Sequence, residues 1–448
     1  MSVVQPADPA PIVSAPLPEP AAPSRDEVPA VPWLLGGLAV AHATAAVAVL
    51  LGTGNGVVVA AVASVDAALS LWLGAAAAVA VLRRPPSERS VALTAAGCAV
   101  AAGAGRQVGE QVGGHGDGEA WLVLRVVTAV DEAWGPAGTP VCHGHVLVRA
   151  EARPLAARAA TAGAASQPAG APAAGPAGVV LDDDALLVHP LLASAPRLAL
   201  WRAPTDNDRI GGFAARWEEK GLDRLTRHVV AVDRLDAGAV RVVADVVTAS
   251  GAVVRHTQEI APLPGTAGGL LVTETAEVPA ALDDLPRVGT VLETVPGLAW
   301  VDWFGAGPWE TYPDRRAAGE IGGFGMDVDG WFTPYVRPQE SGGRNGVRWL
   351  TLSDGGPGGG PDGGAGYAGT RALAVHLDTP RQVSVTHHRA HDLAAATHHN
   401  DLVPCAETVV HLDAAHRGIG TASCGPDTLP AYLLRPGTYR WSYALTTP

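Results

Sequence analysis

Lysine is nearly absent from this chain: Lys220 is the only one among 31 basic residues, so almost every positive charge is an arginine. With Ala, Gly, Val and Pro dominating the remainder, that bias reads as the trace of a GC-rich coding sequence and not as a functional device. A basic excess is missing too, because 44 Asp and Glu outnumber 31 Lys and Arg for a formal charge of -13. A phosphate backbone would be repelled by that balance, which argues against nucleic acid as a partner. Cysteines are sparse, at Cys98, Cys142, Cys405 and Cys424, with no Cys-x-x-Cys pair. That spacing argues against a disulfide framework and a structural zinc site, and fits reduced thiols in the cytoplasm. Apolar sequence is what abounds, at 48% of 448 residues, ample for a sizeable core and two or three domains.

Residues 1–30 carry Pro6, Pro9, Pro11, Pro16, Pro18, Pro20 and Pro23 and no basic segment ahead of an apolar one. They read as a disordered leader and not as a signal peptide. Residues 31–118 form an apolar, Ala/Val/Gly-rich region. From Val31 to Leu82 its only formal charge is Asp66, and Gly54-Asn55-Gly56 divides it into two pieces of membrane-spanning length, followed by Arg83-Arg84. Hydropathy makes this a candidate transmembrane hairpin, with membrane contact through residues 31–105 and the arginines on the cytoplasmic side. A third apolar stretch, Val91 to Gly105, has the same bias. Alanine gains little from lipid, so two other readings stay open: buried or poorly folded low-complexity sequence, and an out-of-frame stretch of a GC-rich gene.

At Ala120 the character changes. Trp121-Leu-Val-Leu-Arg-Val-Val alternates as a strand does, the turn residues Gly135-Pro136-Ala137-Gly138 follow, and Val146-Leu-Val-Arg is strand-like again. Residues 156–178, mostly Ala, Gly, Ser and Pro with hardly a charge, read as a flexible linker. Beyond Val179 come short alternating runs starting at Ala239, Ala252, Leu270, Ala372, Gln382, Thr408 and Tyr439, punctuated by Gly and Pro. They predict a large antiparallel all-β sandwich over 179–448. Only Phe213 to Leu225 reads as a helix, and the glycine cluster Gly355 to Gly366 reads as a surface loop.

Four strings depart from generic sandwich sequence by stacking rigid, polar and aromatic residues at loop positions. The first is Trp201-Arg202-Ala-Pro-Thr-Asp206-Asn207-Asp208, whose three consecutive short polar side chains can bond nearby backbone as in Asx turns. The second is Trp303-Phe-Gly-Ala-Gly-Pro-Trp-Glu310-Thr-Tyr312-Pro-Asp314-Arg315, where Glu310, Asp314 and Arg315 can form an internal ion-pair network. The third is Thr333-Pro-Tyr-Val-Arg337-Pro-Gln-Glu340, followed by Gly342-Gly343-Arg344; the fourth is Arg417-Gly-Ile-Gly-Thr-Ala-Ser-Cys424-Gly-Pro-Asp427, a glycine-rich tip between two strands. Local packing is the alternative explanation for each.

Together and in this order, the four strings resemble the C-terminal small-chain region (domain 5) of the long beta-galactosidases of glycoside hydrolase family 2, over about Val179 to Leu445. Trp121 to Val148, including Trp134-Gly-Pro-Ala-Gly138, resembles the end of the immunoglobulin-like domain that precedes it in that family. There the chain reads Gly138-Thr-Pro-Val-Cys-His143 where the family tends to read Gly-His-Glu-Val-Ala-Trp. The resemblance implies a galactose-mutarotase-like supersandwich at 179–448, preceded by an immunoglobulin-like remnant at 119–155. It also implies a place in a hydrolase that removes terminal β-galactosyl units, as from lactose. The loop matching the fourth string is then expected to reach the mouth of a catalytic barrel and set Cys424 beside the leaving-group sugar. Tryptophan is frequent at that position, so aromatic stacking on the aglycone would be lost. A small apolar loop residue is the bland reading of Cys424.

Retaining hydrolysis needs two carboxyl groups about 5 Å apart. In the family both come from a (β/α)8 barrel, typically ~250 residues, and the resemblance places the family's magnesium and sodium there as well. No such repeat is legible here. The expectation is therefore no catalytic residue, metal or cofactor in this chain, activity only beside a barrel-bearing chain, and oligomeric assembly in the full enzyme. Within the β region, Glu310 with Asp314 and Glu340 with Asp327 are candidate carboxylate pairs, although Arg315 and Arg316 favour a salt bridge for the first. His387-His388, His391 and His398-His399 lack companions at metal-ligand spacing. His376 or His411 with Glu340 could imitate the His–Glu pair of a mutarotase. The alternatives are a non-catalytic carbohydrate-binding module on a membrane anchor and an aldose 1-epimerase-like protein.

Overall fold

Valine alternating with polar or small residues can bury one face of a strand while the other meets solvent or a second layer, and that pattern builds most of this molecule. The computed structural model describes residues 90–95, 98–106, 119–128, 131–150, 153–165, 178–355 and 371–447. They belong to two units, one built from 16–105 and 120–148, the other chiefly from 149–448.

The smaller unit is a four-stranded sheet in the order β1 (Ser90–Ala95), β2 (Cys98–Arg106), β3 (Ala120–Thr128), β4 (Pro140–Arg149). Its β3–β4 connection is the expected turn: Asp131 Oδ1 accepts Ala137 N–H at 2.9 Å, and Gly138 supplies a φ of +87°. The stretch Val91 to Gly105 is thus corrected. It forms an antiparallel pair, β1 with β2, so the sheet starts at Ser90 and not at residue 119. Small, apolar residues serve a strand as well as a lipid-facing helix, and composition alone does not separate the two. The two hairpin pieces between Val31 and Leu82, like the leader 1–30, lie outside the described residues. Among the described residues no helix is long and apolar enough to cross a membrane.

The larger unit runs α1 (Leu155–Ala165), β5 (Leu192–Ala199), α2 (Asp206–Ile210), α3 (Phe213–Glu219), β6 (Leu225–Arg234), β7 (Val240–Thr248), β8 (Val253–Pro262), β9 (Leu270–Val278), β10 (Arg287–Thr294), β11 (Trp300–Gly307), β12 (Glu320–Asp327), α4 (Val328–Trp331), β13 (Arg344–Ser353), β14 (Ala372–Thr386), α5 (Ala390–Ala395), β15 (Val409–His416) and β16 (Gly437–Thr446). One path of strands is ordered β12-β11-β13-β14-β16-β9-β8-β7-β6, and β14 also opens a branch β14-β15-β10-β5. β14 serves both because it is long: Ala374–Leu377 pairs with β16, and Gln382–Thr386 pairs with β15. The runs at Ala372 and Gln382 are therefore one strand, not two. This is the all-β antiparallel architecture expected for 179–448.

Burial alternates residue by residue along β7 and β9, as the sequence pattern requires. Trp217, Trp303, Trp331 and Trp441 are fully buried in the core. Glu274 on β9 is buried with them. It is held by His256 Nε2 at 2.7 Å, the Thr290 hydroxyl at 2.6 Å and the Tyr443 hydroxyl at 2.7 Å, while Trp441 Nε1–H donates to Thr290 at 2.9 Å.

Two further corrections concern helices. Residues 155–165 are α1 and not part of a flexible linker. Ala159 is buried among Leu263 and Ala444, and Arg158 donates to the carbonyls of Leu377 at 2.8 Å and Asp378 at 3.1 Å. An alanine-rich, charge-poor run looks like a linker until a docking surface exists, and then its high helix propensity decides. The helix read from Phe213 to Leu225 stops at Glu219, because Gly221 turns with φ +66° hard against Ala249, and Leu225 opens β6. The glycine cluster, beyond Gly355 itself, lies outside the described residues.

Removing the Glu274 carboxylate leaves three buried partners unpaired, so Glu274→Ala is expected to cost about 3–5 kcal/mol in urea-unfolding free energy. A loss under ~1 kcal/mol would show that His256, Thr290 and Tyr443 find other partners.

Candidate functional site

All four polar strings meet at one place, and the first supplies its rigid support. Thr205 caps α2: its hydroxyl accepts Asp208 N–H at 3.2 Å while the Asp208 carboxylate accepts Thr205 N–H at 2.8 Å. Asp206-Asn207-Asp208 is accordingly the first turn of a helix, in place of the expected Asx turns. The same carboxylate takes Arg202 in two hydrogen bonds, 2.8 and 3.1 Å, with both side chains wholly buried. Arg202 then donates to the carbonyls of Arg417 at 2.9 Å and Gly418 at 3.3 Å, and its guanidinium lies 5.4 Å from the Trp217 ring centroid. The start of the fourth string is thereby tied to the first.

Arg417 is buried as well. It bonds Asp284 at 3.0 Å and Asp427 at 2.6 Å, so one guanidinium joins the two ends of the glycine-rich loop, and it stacks 4.5 Å from the Phe213 centroid. A cavity of about 630 Å³ at the loop's base is lined by Arg216, Lys220, Asp283, Asp284, Arg417 and Asp427 among others. These opposite charges largely neutralise one another.

In the second string the expected ion-pair network forms only in part. Glu310 pairs with Arg315 and accepts the Tyr335 hydroxyl and Gly342 N–H, the last at 2.9 Å. Asp314 faces the other way, toward the fourth string, where it accepts Ile419 N–H at 3.0 Å, Gly420 N–H at 2.8 Å and the Thr428 hydroxyl at 2.7 Å. Burial pulls its pKa upward, but those hydrogen bonds outweigh it and hold the carboxyl below its ordinary value. Tyr312 is buried 5.4 Å from the His416 ring, and burial beside Glu340 and Glu310 drives its hydroxyl well above the usual pKa.

The third string is bound to the first by Glu340 N–H donating to the Ala203 carbonyl at 3.0 Å and by Asp206 N–H donating to Gln339 at 2.8 Å. The Glu340 carboxylate accepts from Arg287 of β10 at 2.9 Å. Arg287 also lies 2.8 Å from Asp413 of β15, an ion pair whose N–H is not aligned for a hydrogen bond. Burial pushes Asp413 up to about 7, with Glu340 adding like charge against the pull of Arg287. Arg337 is exposed and stands outside this network.

Every carboxylate of the cluster is thus spoken for by an arginine or by backbone. Glu340 and Asp327 do not form a pair: the first is bound to Arg287, the second is exposed at the start of α4. The histidine near Glu340 is His416, at 3.9 Å, in place of the expected His376 or His411. His376 lies beside Arg158, and burial lowers it to about 4. His387 bonds the Glu407 carbonyl and His391 the Asp223 carbonyl, on separate elements. Among the described residues no group of three or more His, Cys, Asp or Glu is arranged to hold a metal. Cys424 is exposed at the loop tip, with its N–H donating to the Thr421 carbonyl at 3.0 Å.

The family model described as "Beta galactosidase small chain" matches residues 180–445, which takes in all four strings. The chain belongs to the beta-galactosidase small-chain family. The beta-galactosidase of Arthrobacter sp. (strain B7) is 33% identical over 347 residues, covering 71% of this chain and 32% of that protein. The beta-galactosidase of Staphylococcus xylosus is 28% identical over 255 residues, covering 55% and 23%. The chain therefore spans no more than about a third of the length of these relatives. Among solved structures, an Escherichia coli K12 protein assigned as an aldose 1-epimerase covers 50% of this chain and is 68% covered, with 14% identity and a TM-score of 0.25.

Within this small-chain region, sequence reading singled out Arg202, Asp206, Asn207, Asp208, Glu310, Tyr312, Asp314, Arg315 and Glu340; of these the fold sets Arg202, Asn207 and Asp314 on the Arg417–Asp427 loop, whereas Glu310 and Arg315 pair with each other. It missed Arg287, Asp413, Asp284 and Thr428. Asp413 did leave a signal, being the one carboxylate in the run Val409–His416, and such charges seldom go inside unpaired.

Two outcomes follow. Arg202→Lys keeps the charge but loses the fork geometry, and should cost about 2–4 kcal/mol by thermal or denaturant unfolding. Asp413, ordinarily near 3.8, keeps its proton to about 7 in the folded state. The unfolded state releases it earlier, so stability declines as pH climbs through that window and levels off above it. Asp413→Asn should flatten the decline in urea midpoint between about pH 4 and about pH 7. Identical profiles for both proteins would show that Asp413 is not the titrating group.

Proposed function

We propose that this chain supplies the small-chain region of a beta-galactosidase that hydrolyses terminal non-reducing β-D-galactosyl residues, lactose included. It works only together with a part that carries the catalytic barrel. The observation that carries the reading is that the first and second polar strings hold the loop of the fourth, with the third bonded to the first, while the loop's tip, with Cys424, stays exposed. Such rigid support is what a loop needs when it contributes a wall to a site completed elsewhere. The carboxylates around it are bound to arginine or backbone, in keeping with a nucleophile and acid/base supplied from elsewhere. Cys424 is the aglycone-side contact in this reading, and the β-galactoside is the substrate. The magnesium and sodium of the enzyme belong with the barrel. The setting is cytoplasmic, in line with thiols that are free at Cys142, Cys405 and Cys424.

Exposed apolar residues support a protein partner. Trp309 is 60% and Val336 86% exposed within the second and third strings, and Ile210 at 65% and Leu429 at 67% lie two residues beyond the first and fourth. Large apolar side chains left in water beside a polar site are a docking signature, tryptophan above all.

The purified chain should give no hydrolysis of a chromogenic β-galactoside, and hydrolysis should appear on mixing with the barrel-bearing remainder of the Arthrobacter relative. Turnover by the chain alone would overturn the proposal. In the reconstituted enzyme, Cys424→Trp should tighten glucose as an acceptor roughly two- to tenfold, from the ~0.5–1.5 kcal/mol of an added aromatic contact. An unchanged acceptor KM would remove Cys424 from the aglycone side.

A further inference from the structure

Four backbone groups on the ascending side of the loop are served by only two side chains. Asp314 accepts the N–H groups of Ile419 and Gly420 at 3.0 and 2.8 Å, and Asn207 Nδ2 donates to the carbonyls of the same two residues at 3.1 and 2.8 Å. Asn207 Oδ1 then reaches the tip itself, accepting Ser423 N–H at 3.0 Å and the Ser423 hydroxyl at 2.5 Å, one residue before Cys424. Asp314 also reaches the descending side through Thr428 at 2.7 Å.

Both side chains sit on fixed supports. Asn207 is in the capped first turn of α2, and Asp314 is in a tight turn closed by reciprocal bonds of 2.9 Å between Tyr312 and Arg315. The loop is shaped to admit them: a Cβ on Gly418 would lie 2.6 Å from Asp314 Oδ2, and Gly420 takes a φ of +60°. The tip closes on itself, with Gly425 N–H on the Thr421 carbonyl at 2.7 Å and the Thr421 hydroxyl on the Pro426 carbonyl at 2.8 Å. A self-closed tip on a bonded stem moves as one piece, so its position is set where the stem is gripped.

We infer that Asp314 and Asn207 are positioning residues that grip the Ile419–Gly420 stem from both edges and so fix where the Cys424 tip stands. Their effect on catalysis rests on the aglycone-side reading of Cys424 given above; the grip itself does not. Arg202 and Arg417 anchor the loop's ends to the body, whereas these two set the height and tilt of its tip. Neither touches the reacting sugar in this arrangement, and both act through the loop.

The test uses the full chain with Cys98, Cys142 and Cys405 replaced by serine and a nitroxide spin label on Cys424. Asp314→Asn and Asn207→Ala should each shorten the label's rotational correlation time severalfold. Hydrogen exchange at the Ile419 and Gly420 amides should rise at least tenfold while the amides of β9 keep their protection. Arg337→Ala, exposed in the third string, should change neither. Thr428→Val, which deletes one of three bonds to Asp314, should give an intermediate mobility and serves if Asp314→Asn does not fold. Unchanged label mobility and stem exchange in the folded variants would overturn the inference. In the enzyme reconstituted with the barrel-bearing part, Asp314→Asn should raise the acceptor KM for glucose severalfold, with kcat for a small-aglycone galactoside within twofold. A mobile label with an unchanged acceptor KM would leave the grip standing and overturn the aglycone-side reading instead.

Discussion

The buried pair of Arg202 and Asp208 is the interaction on which the rest of this architecture hangs. Removing two charges from water is costly, and their attraction offsets that cost only when the geometry is good and the remaining donors are satisfied. Here the carboxylate is held by backbone within its own helix cap, and the guanidinium spends its spare donors on the carbonyls of Arg417 and Gly418. The pair therefore does more than balance charge. It joins residues 202–208 to the loop at 417–418, more than two hundred positions away in sequence, and obliges that loop to leave the sheet at one point.

From that point the polar cluster is arranged in series. Arg417 clasps the loop's two ends, Asp314 and Asn207 hold its stem, and Glu340 hands the third string on to Arg287 and Asp413 in the sheet. Each carboxylate has a named partner, so the acids gathered here tie the strings to one another. Asp208, Asp314, Glu310 and Glu340 accept hydrogen bonds from guanidinium or backbone amide groups, whereas Asp413 is held by its ion pair with Arg287 alone. Asp413, held to about 7 by burial, is the member closest to releasing a proton near neutrality, but it is buried in the sheet beneath the loops.

Strands were most sharply readable where apolar and polar residues alternate. β7, β9 and β16 stand within a residue or two of the alternating runs that announced them, because a period of two in hydrophobicity and the pleat of a strand are the same periodicity. β10, β11 and β13, whose burial does not alternate throughout, went unread, whereas β14 and β15, largely buried on both faces, were announced by their apolar runs. α1 went unread for a different reason: alanine-rich sequence is compatible with linker, helix or membrane, and the Leu263–Ala444 surface that selects helix is formed by distant strands. The same ambiguity let Val91 to Gly105 pass for a membrane-type stretch when it pairs as β1 and β2.

By itself, the sequence determined the all-β class, the four unusual strings and their order, and with them the family, because turn chemistry and hydrophobic period are local properties. It could also say which residue types were in excess of packing needs, among them Arg202, Asp314 and Glu340. Which acid meets which base was decided only by the tertiary structure. Only four positions apart, Glu310 and Asp314 turn to opposite neighbours, one to Arg315 and one to the Ile419–Gly420 backbone, since a tight turn at Tyr312–Arg315 separates their directions. Pairing between strings depends on loop ends placed by strands far apart in the chain, and Coulomb energy at a few ångströms has no counterpart in a spacing of a hundred residues.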